Sequence, residues 1–327
     1  MPNTSTPVPQ RPEIPRVVVV TPVYNEVATL GAYAAAVTAE LLQRSDYRFE
    51  VLLIDDGSTD ASWQLIGDIC AGSPRFRGIR LSRNYGAHLA LNAWFAQAEG
   101  DAVATLACDL QDPPGVILEF LDQWKAGADV VWGRRASRDE TWWRVFTSGI
   151  FERLIRRHAM PPGSMFTVGS FLLIDRRVVE CLRQFQEQNR VTFALVAWTG
   201  FSQAVVHYHR RSRLAGVSGW TYGRMVKTMY DTFIGFSPLP IRLMTIAGMA
   251  AFLLTIPLGI YLILGWLTGR PQVGWTSLML VMVSFFGVQL LLTGVLGEYL
   301  YRIYAEVVRR PLYFVTAATP PAHDDER

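Results

Sequence analysis

The segment Ala107-Cys108-Asp109-Leu110-Gln111-Asp112-Pro113-Pro114 places a carboxylate, an amide and a second carboxylate close together. It directly follows Ala102 to Leu106, a run of strand-forming residues. The two prolines stop the strand and suit the first turn of a helix. Oxygen ligands at the end of a buried strand are what a hard divalent cation requires. In open α/β sheets, ligands bind at the loops beyond the carboxyl ends of the strands. The segment therefore reads as a site for a metal and a diphosphate, with Asp109, Gln111 and Asp112 supplying the oxygen donors.

The elements that would position this loop are legible as alternating strands and helices. Val17 to Thr21 is a continuous β-branched run, as in a strand buried on both faces, and ends at Pro22-Val23-Tyr24-Asn25-Glu26. A helix is predicted from Val27 to Leu42. A second strand, Val51 to Ile54, ends in Asp55-Asp56-Gly57-Ser58-Thr59-Asp60, which is turn and helix-cap chemistry, before a helix from Ser62 to Cys70. Gly78 to Leu81 is the third strand, followed by Ser82-Arg83-Asn84-Tyr85-Gly86 and a helix to Ala98. Ala102 to Leu106 is the fourth and Asp129 to Trp132 the fifth; later strands are expected at Ser170 to Ile174 and Ala204 to Tyr208. This alternation implies an α/β fold with a mostly parallel sheet flanked by helices. The polar clusters Tyr24-Asn25-Glu26, Asp55-Asp56, Arg83-Asn84 and Asp109-Gln111-Asp112 should then converge on one sheet edge.

Bulk properties narrow the class. The chain has 327 residues and a net charge of +3, too small a bias to indicate nucleic-acid binding by itself. Its three cysteines, Cys70, Cys108 and Cys181, have neither disulfide nor zinc spacing, which fits a reducing compartment. Between Leu243 and Gly297 the only charged residue is Arg270. Two apolar runs, Leu243 to Leu267 and Trp275 to Leu300, fall there. The first would reach about 37 Å as a helix, enough to span a hydrocarbon core of about 30 Å. Arg224, Lys227 and Arg242 precede the spans and Arg302, Arg309 and Arg310 follow them, so both ends are expected on the cytoplasmic side of a plasma membrane. The expected organisation is a disordered tail over 1–15, a catalytic domain over 16–213, a juxtamembrane amphipathic segment over 214–240, two transmembrane helices within 241–302 and a cytoplasmic tail over 303–327.

At Thr21-Pro22-Val23-Tyr24-Asn25-Glu26, Asp55-Asp56-Gly57-Ser58, Ser82-Arg83-Asn84-Tyr85-Gly86 and Asp109-Leu110-Gln111-Asp112-Pro113-Pro114 the chain resembles the family 2 glycosyltransferases of the GT-A (Rossmann-like) fold. More narrowly it is similar to the membrane-anchored polyprenyl-phosphate glycosyltransferases, which include dolichol-phosphate mannose synthase and the bactoprenol glucosyltransferases. Gly287-Val288-Gln289, Gly297-Glu298-Tyr299 and Arg309-Arg310-Pro311 match the bactoprenol branch. The resemblance implies an inverting transferase that moves a sugar from a nucleotide diphosphate, UDP-glucose as the first guess, to undecaprenyl or another polyprenyl phosphate, with Mg²⁺ or Mn²⁺. It implies that Pro22, Tyr24, Glu26 and Asp56 hold the nucleotide. A homo-tetramer is also conceivable by this resemblance, since some relatives assemble through the anchored region. Where the family has the first Asp of Asp-x-Asp, this chain has Ala107; where it has Gly-x-Ser-Lys-aromatic, this chain has Gly216-Val217-Ser218-Gly219-Trp220. Relatives often carry Asp-Phe-Arg where this chain has Ser170-Phe171-Leu172.

A phosphate monoester acceptor carries a charge near −1.5 to −2 and is already a nucleophile, so a strong general base is not required. Asp112 either positions the sugar or the acceptor, or is simply an acid at a helix start. Phosphate clamps should be arginines, which bind phosphate bidentately. Arg135 and Arg138 after the fifth strand, and Arg210, Arg211 and Arg213 near the membrane segment, are the candidates, with Ser218 a further phosphate contact by resemblance. Two other readings stay open: a nucleotide-sugar-binding membrane scaffold with weak or no catalysis, and a polysaccharide synthase, although Gln-x-x-Arg-Trp is missing.

Overall fold

The computed structural model describes residues 11–86, 90–91, 93, 97–136, 170–185, 187, 192–211, 239–268 and 274–320. The chain forms two compact units: one of residues 1–232 with 311–327, the other of residues 233–310. Arg138, Arg213 and Ser218, the expected amphipathic segment up to residue 238, and Arg270 lie outside the described residues.

In the first unit the strands are β1 (Arg16–Val23), β2 (Arg48–Asp55), β3 (Phe76–Leu81), β4 (Ala102–Thr105), β5 (Val130–Arg135), β6 (Leu172–Asp175), β7 (Gln203–Tyr208) and β8 (Val315–Ala318). They form one eight-stranded sheet in the order β7-β5-β6-β4-β1-β2-β3-β8. β1 pairs in parallel with β2 and β4, β2 with β3, and β5 with β7. β6 runs antiparallel to β4 and β5, and β8 antiparallel to β3. The valine run explains the central place of β1: Val17 and Val19 face one layer of core and Val18 and Val20 the other, and all four are buried. The expected mostly parallel sheet is present.

Helices α1 (Val27–Val37), α2 (Ser62–Gly72) and α3 (Val116–Lys125) supply Leu30, Tyr33, Ile66, Phe120 and Trp124 to the same core as Val17, Val19, Val51 and Leu53. α1 continues as a π-helical turn, Thr38–Leu42. That turn carries Glu40, whose Oε2 accepts the Gly115 amide at 2.7 Å, at the start of α3. A carboxylate there meets the unpaired amides and positive end of a helix. α4 (Arg176–Gln184) follows β6 directly and is capped by Asp175, which accepts the Arg177 amide at 2.9 Å. α5 (Thr192–Trp198) precedes β7.

Two boundaries differ from the sequence expectation. The tail expected over 1–15 is held in place from Arg11 onward. The Arg11 guanidinium lies 4.0 Å above the Trp124 ring, donates to the Ala128 carbonyl at 2.9 Å, and sits 3.6 Å from Asp175 and 3.8 Å from Asp129. Two acids and an aromatic face compensate a buried cation that no local pattern announces. The tail expected over 303–327 instead contains the end of a helix and β8, because the segment finds an open sheet edge at β3.

Among the described residues the second unit contains α6 (Leu239–Leu267) and α7 (Trp275–Val308). Both are long and apolar enough to cross a membrane: within Ile241–Gly265 and within Ser277–Val308 an 18-residue stretch reaches a mean hydropathy of 2.2. Their large side chains, including Phe252, Leu264, Leu290 and Leu291, are exposed. Arg302 Nε lies 3.1 Å from Glu298 Oε1, one turn away, as the i, i+4 spacing predicts. Arg309 ends α7 in the left-handed conformation, and Pro311 follows.

Candidate active site

β1 to β5 and β7 share one direction, so the turns after β1, β2, β3 and β4, together with the ends of β5 and β7, lie on one edge of the sheet. The first two turns are bolted together. Asn25, in the left-handed region at φ 54°, accepts the Thr59 amide through Oδ1 at 2.9 Å. The Asn25 amide donates to Ser58 Oγ at 3.0 Å and the Glu26 amide to Ser62 Oγ at 2.9 Å. Gly57, at φ 69°, is needed where the second turn meets the third: a Cβ there would fall 2.5 Å from the Arg83 carbonyl carbon.

Asp56 holds the third turn. Its Oδ1 accepts the Tyr85 amide and its Oδ2 the Gly86 amide, each at 2.8 Å. Burial pushes this carboxyl above the usual carboxylate range, while the two amides pull it down. Asp55 is fully buried, pairs with Arg80 at 3.1 Å and accepts the Ser58 amide at 3.1 Å. Pro22 is half-buried at the end of β1. Tyr24 is 43% exposed, so its ring stands outside the core. Glu26 is half-buried; its Oε2 accepts the Thr29 hydroxyl at 2.7 Å, and that hydroxyl also lies 3.8 Å from Cys108 Sγ. Thr29 thus joins the turn after β1 to the turn after β4.

In the turn after β4, Asp109 is 6% exposed and its Oδ1 accepts the Gln111 amide at 3.2 Å. Leu110 takes φ 53° between them. Among the described residues no cluster of three or more His, Cys, Asp or Glu side chains stands ready to hold a metal ion. One carboxylate and one amide oxygen suit a hard cation that takes its remaining ligands from a substrate diphosphate and water, as Mg²⁺ does. Asp109 and Gln111 fit that demand.

Asp112 is the centre of a second group. Its Oδ1 accepts the Tyr208 hydroxyl at 2.6 Å and lies 3.4 Å from Arg210 Nε. The Arg135 guanidinium lies close enough to the same Tyr208 hydroxyl to pull its pKa down against burial. The Arg211 amide donates to the Gln111 carbonyl at 2.8 Å, and its guanidinium is 4.0 Å from Glu40. The structure therefore brings Asp112, Arg135 and Arg210 together around Tyr208 and ties the Arg211 backbone to the turn after β4. Arg135 is the last residue of β5 rather than beyond it.

Tyr208 and Gly133 are the residues that sequence reasoning missed. The Tyr208 ring packs edge-on against Phe171, centroids 5.3 Å apart, and Phe171 lies 4.6 Å from Phe120. Gly133 leaves room for this trio: a Cβ would sit 2.9 Å from Phe120 and 3.0 Å from Tyr208. Burial, then the Asp112 charge, raises the Tyr208 phenol above its ordinary 10.0. An acid raised in the folded state stabilises the fold below its ordinary pKa and loses that contribution as pH rises past it. Tyr208→Phe should cost about 1–2 kcal/mol near neutrality, and less above about pH 10. Thermal melts of both proteins across that range would test it; a pH-independent gap would sink the assignment.

Residues 18–183 match the glycosyl transferase family 2 domain. The chain belongs to that family. Curated relatives extend the match beyond the domain. An uncharacterized glycosyltransferase of Synechocystis sp. is 37% identical over 303 residues, 91% of this chain and 94% of its own length. A prophage-derived bactoprenol glucosyl transferase of Shigella flexneri is 33% identical over 302 residues, 92% and 97% of the two chains. An undecaprenyl-phosphate 4-deoxy-4-formamido-L-arabinose transferase of Aeromonas hydrophila is 34% identical over 331 residues, 96% and 99% of the two chains. In this family 2 chain the mostly parallel sheet carries the polar edge, and the similarity to these relatives covers more than nine-tenths of the chain.

Proposed function

We propose that this family 2 glycosyltransferase moves a sugar from a nucleotide diphosphate to a polyprenyl phosphate at the cytoplasmic face of the membrane, inverting the anomeric carbon. The observation that carries the reading is the convergence at one sheet edge of the Asp56-held loop, the Asp109–Gln111 pair and the Asp112–Tyr208–Arg135–Arg210 group. Pro22, Tyr24 and Glu26 flank the nucleotide, and Asp56 shapes the loop beside it. Asp109 and Gln111 hold Mg²⁺ or Mn²⁺. When bound, that cation offsets charge on the departing diphosphate.

Arg210 and Arg135 orient the acceptor phosphate, held in turn by Asp112 and Tyr208. An acceptor oxygen attacks the anomeric carbon, the carbon–oxygen bond to the diphosphate breaks, and the nucleoside diphosphate leaves with the electron pair. The acceptor enters as a dianion, so no side chain need remove a proton. The names of the Shigella and Aeromonas relatives support a polyprenyl phosphate acceptor. The chain leaves the sheet, passes through two apolar helices and returns as β8, which supports an even number of crossings with both ends on one side.

The test is direct. Purified protein with Mn²⁺, undecaprenyl phosphate and a nucleotide-sugar panel headed by UDP-glucose should yield a glycosyl phosphate lipid. Nucleotide binding without product from any donor would favour a scaffold instead.

A further inference from the structure

β8 meets β3 through the pairs Ile79↔Ala318, Arg80↔Ala317 and Leu81↔Val315, with an irregularity between Arg80 and Leu81. Contacts continue past the ladder at both ends. The Thr319 amide donates to the Gly78 carbonyl at 2.9 Å, and the Gly78 amide to Thr319 Oγ1 at 2.8 Å. The Thr319 hydroxyl also lies beside the Cys70 thiol of α2, where it partly offsets the upward push of burial on that thiol. At the other end, the Ser82 amide donates to the Phe314 carbonyl at 2.9 Å. Gly78 makes the seat: a Cβ there would lie 3.1 Å from Thr319 Cγ2 and 2.5 Å from Ile66 Cγ2.

Ser82 is the first residue of the loop whose far end Asp56 grips through Tyr85 and Gly86. The loop is therefore tethered at both ends, outside by Phe314 and inside by Asp56. β3 itself is tied to the turn after β2, since Arg80 pairs with Asp55 at 3.1 Å and donates to the Ser58 carbonyl at 3.0 Å. Thr316 Oγ1 donates to the Arg80 carbonyl at 3.3 Å.

We propose that the segment Phe314–Thr319, which follows the apolar hairpin in sequence, is a positioning element of the donor-nucleotide site. It acts by fixing the Ser82–Gly86 loop. This rests on the reading that this sheet edge binds the donor. Without β8 the loop keeps only its inner tether and populates its binding geometry a fraction of the time. Apparent affinity falls by that fraction, so a loop ordered in a tenth of molecules binds about tenfold more weakly. The lipid-phosphate group around Asp112 lies toward the opposite side of the sheet order, at β4, β5 and β7, and should be unaffected.

The test uses full-length protein in lipid nanodiscs, with Thr319→Pro, which removes the amide and hydroxyl donors, and Thr319→Val, which removes the hydroxyl alone. Four quantities are read: UDP and GDP affinity by calorimetry, KM for donor and for undecaprenyl phosphate, amide exchange over 82–86, and Cys70 alkylation by mass spectrometry. Thr319→Pro should speed Cys70 alkylation and loop exchange, weaken nucleotide binding about tenfold and leave the lipid KM unchanged. Thr319→Val should move the same readouts in the same direction by a smaller factor. If Cys70 and the loop loosen while nucleotide affinity and donor KM hold, the proposal is overturned. Equal losses for donor and lipid would overturn it too. A wild-type chain that binds neither UDP nor GDP would instead overturn the donor-site reading beneath it.

Discussion

Asp109→Ala should lower kcat by at least ~10²–10³-fold, the scale of losing one preorganised charge contact to a transition state. In the proposed reading Asp109 is the carboxylate on which the cation would depend, since position 107 is Ala and Gln111 brings no charge of its own. The fold should suffer little. Within its own turn the Asp109 carboxylate accepts the Gln111 amide at 3.2 Å, a bond worth about 1 kcal/mol. Initial rates against Mn²⁺ concentration, together with a thermal melt, separate the two effects. Near-normal turnover in a well-folded Asp109→Ala protein would remove Asp109 from the metal site. Ala107→Asp makes the reverse case: a second carboxylate should lower the Mn²⁺ concentration needed for half-maximal rate.

Asp112→Ala should cost both stability and rate, and Asp112→Asn should recover most of both. In the alanine protein the Tyr208 hydroxyl keeps its burial but loses its acceptor, and Arg210 loses its counter-charge. A buried donor left without a partner costs about 1–3 kcal/mol; the partly exposed Arg210 adds less because water screens it. Asparagine restores an acceptor for Tyr208 and the shape that orients Arg210. If Asp112 instead removed a proton in the reaction, asparagine would be as inactive as alanine. The acid limb of the pH–rate profile would also vanish. Comparing kcat and the lipid KM of the two variants decides between positioning and base catalysis.

Much of this architecture was legible from the chain because it rests on local signals. The valine run of β1 announces a strand buried on both faces, and the polar turns after β1 to β4 announce a shared edge. Asp109, Gln111 and Asp112 were found because proline ends the segment that carries them. Tyr208 was not, because it looks like any aromatic at the end of a strand. Its role depends on Gly133 and Phe171, which lie far from it in sequence and meet it only in the packed sheet. Asp56 was assigned to the nucleotide by resemblance, whereas both of its oxygens accept loop amides, an arrangement that needs the third turn folded beside it. Arg11 and β8 escaped for a related reason. Each is a short segment without periodicity, placed by a partner that lies far away in sequence: Asp175 for Arg11, Arg80 for the residues around Ala317.

β8 also sets an order of events during synthesis. A nascent chain generally folds from its N-terminus as it emerges. Here β3 can form early, but its outer edge stays unpaired until the segment after α7 has been made, more than 230 residues later. An exposed strand edge is a template for pairing with other chains. The two apolar helices are therefore made before the sheet can close. A nascent chain stalled short of Val315 would carry both helices and an open edge, and quality control would meet it as an aggregation-prone intermediate.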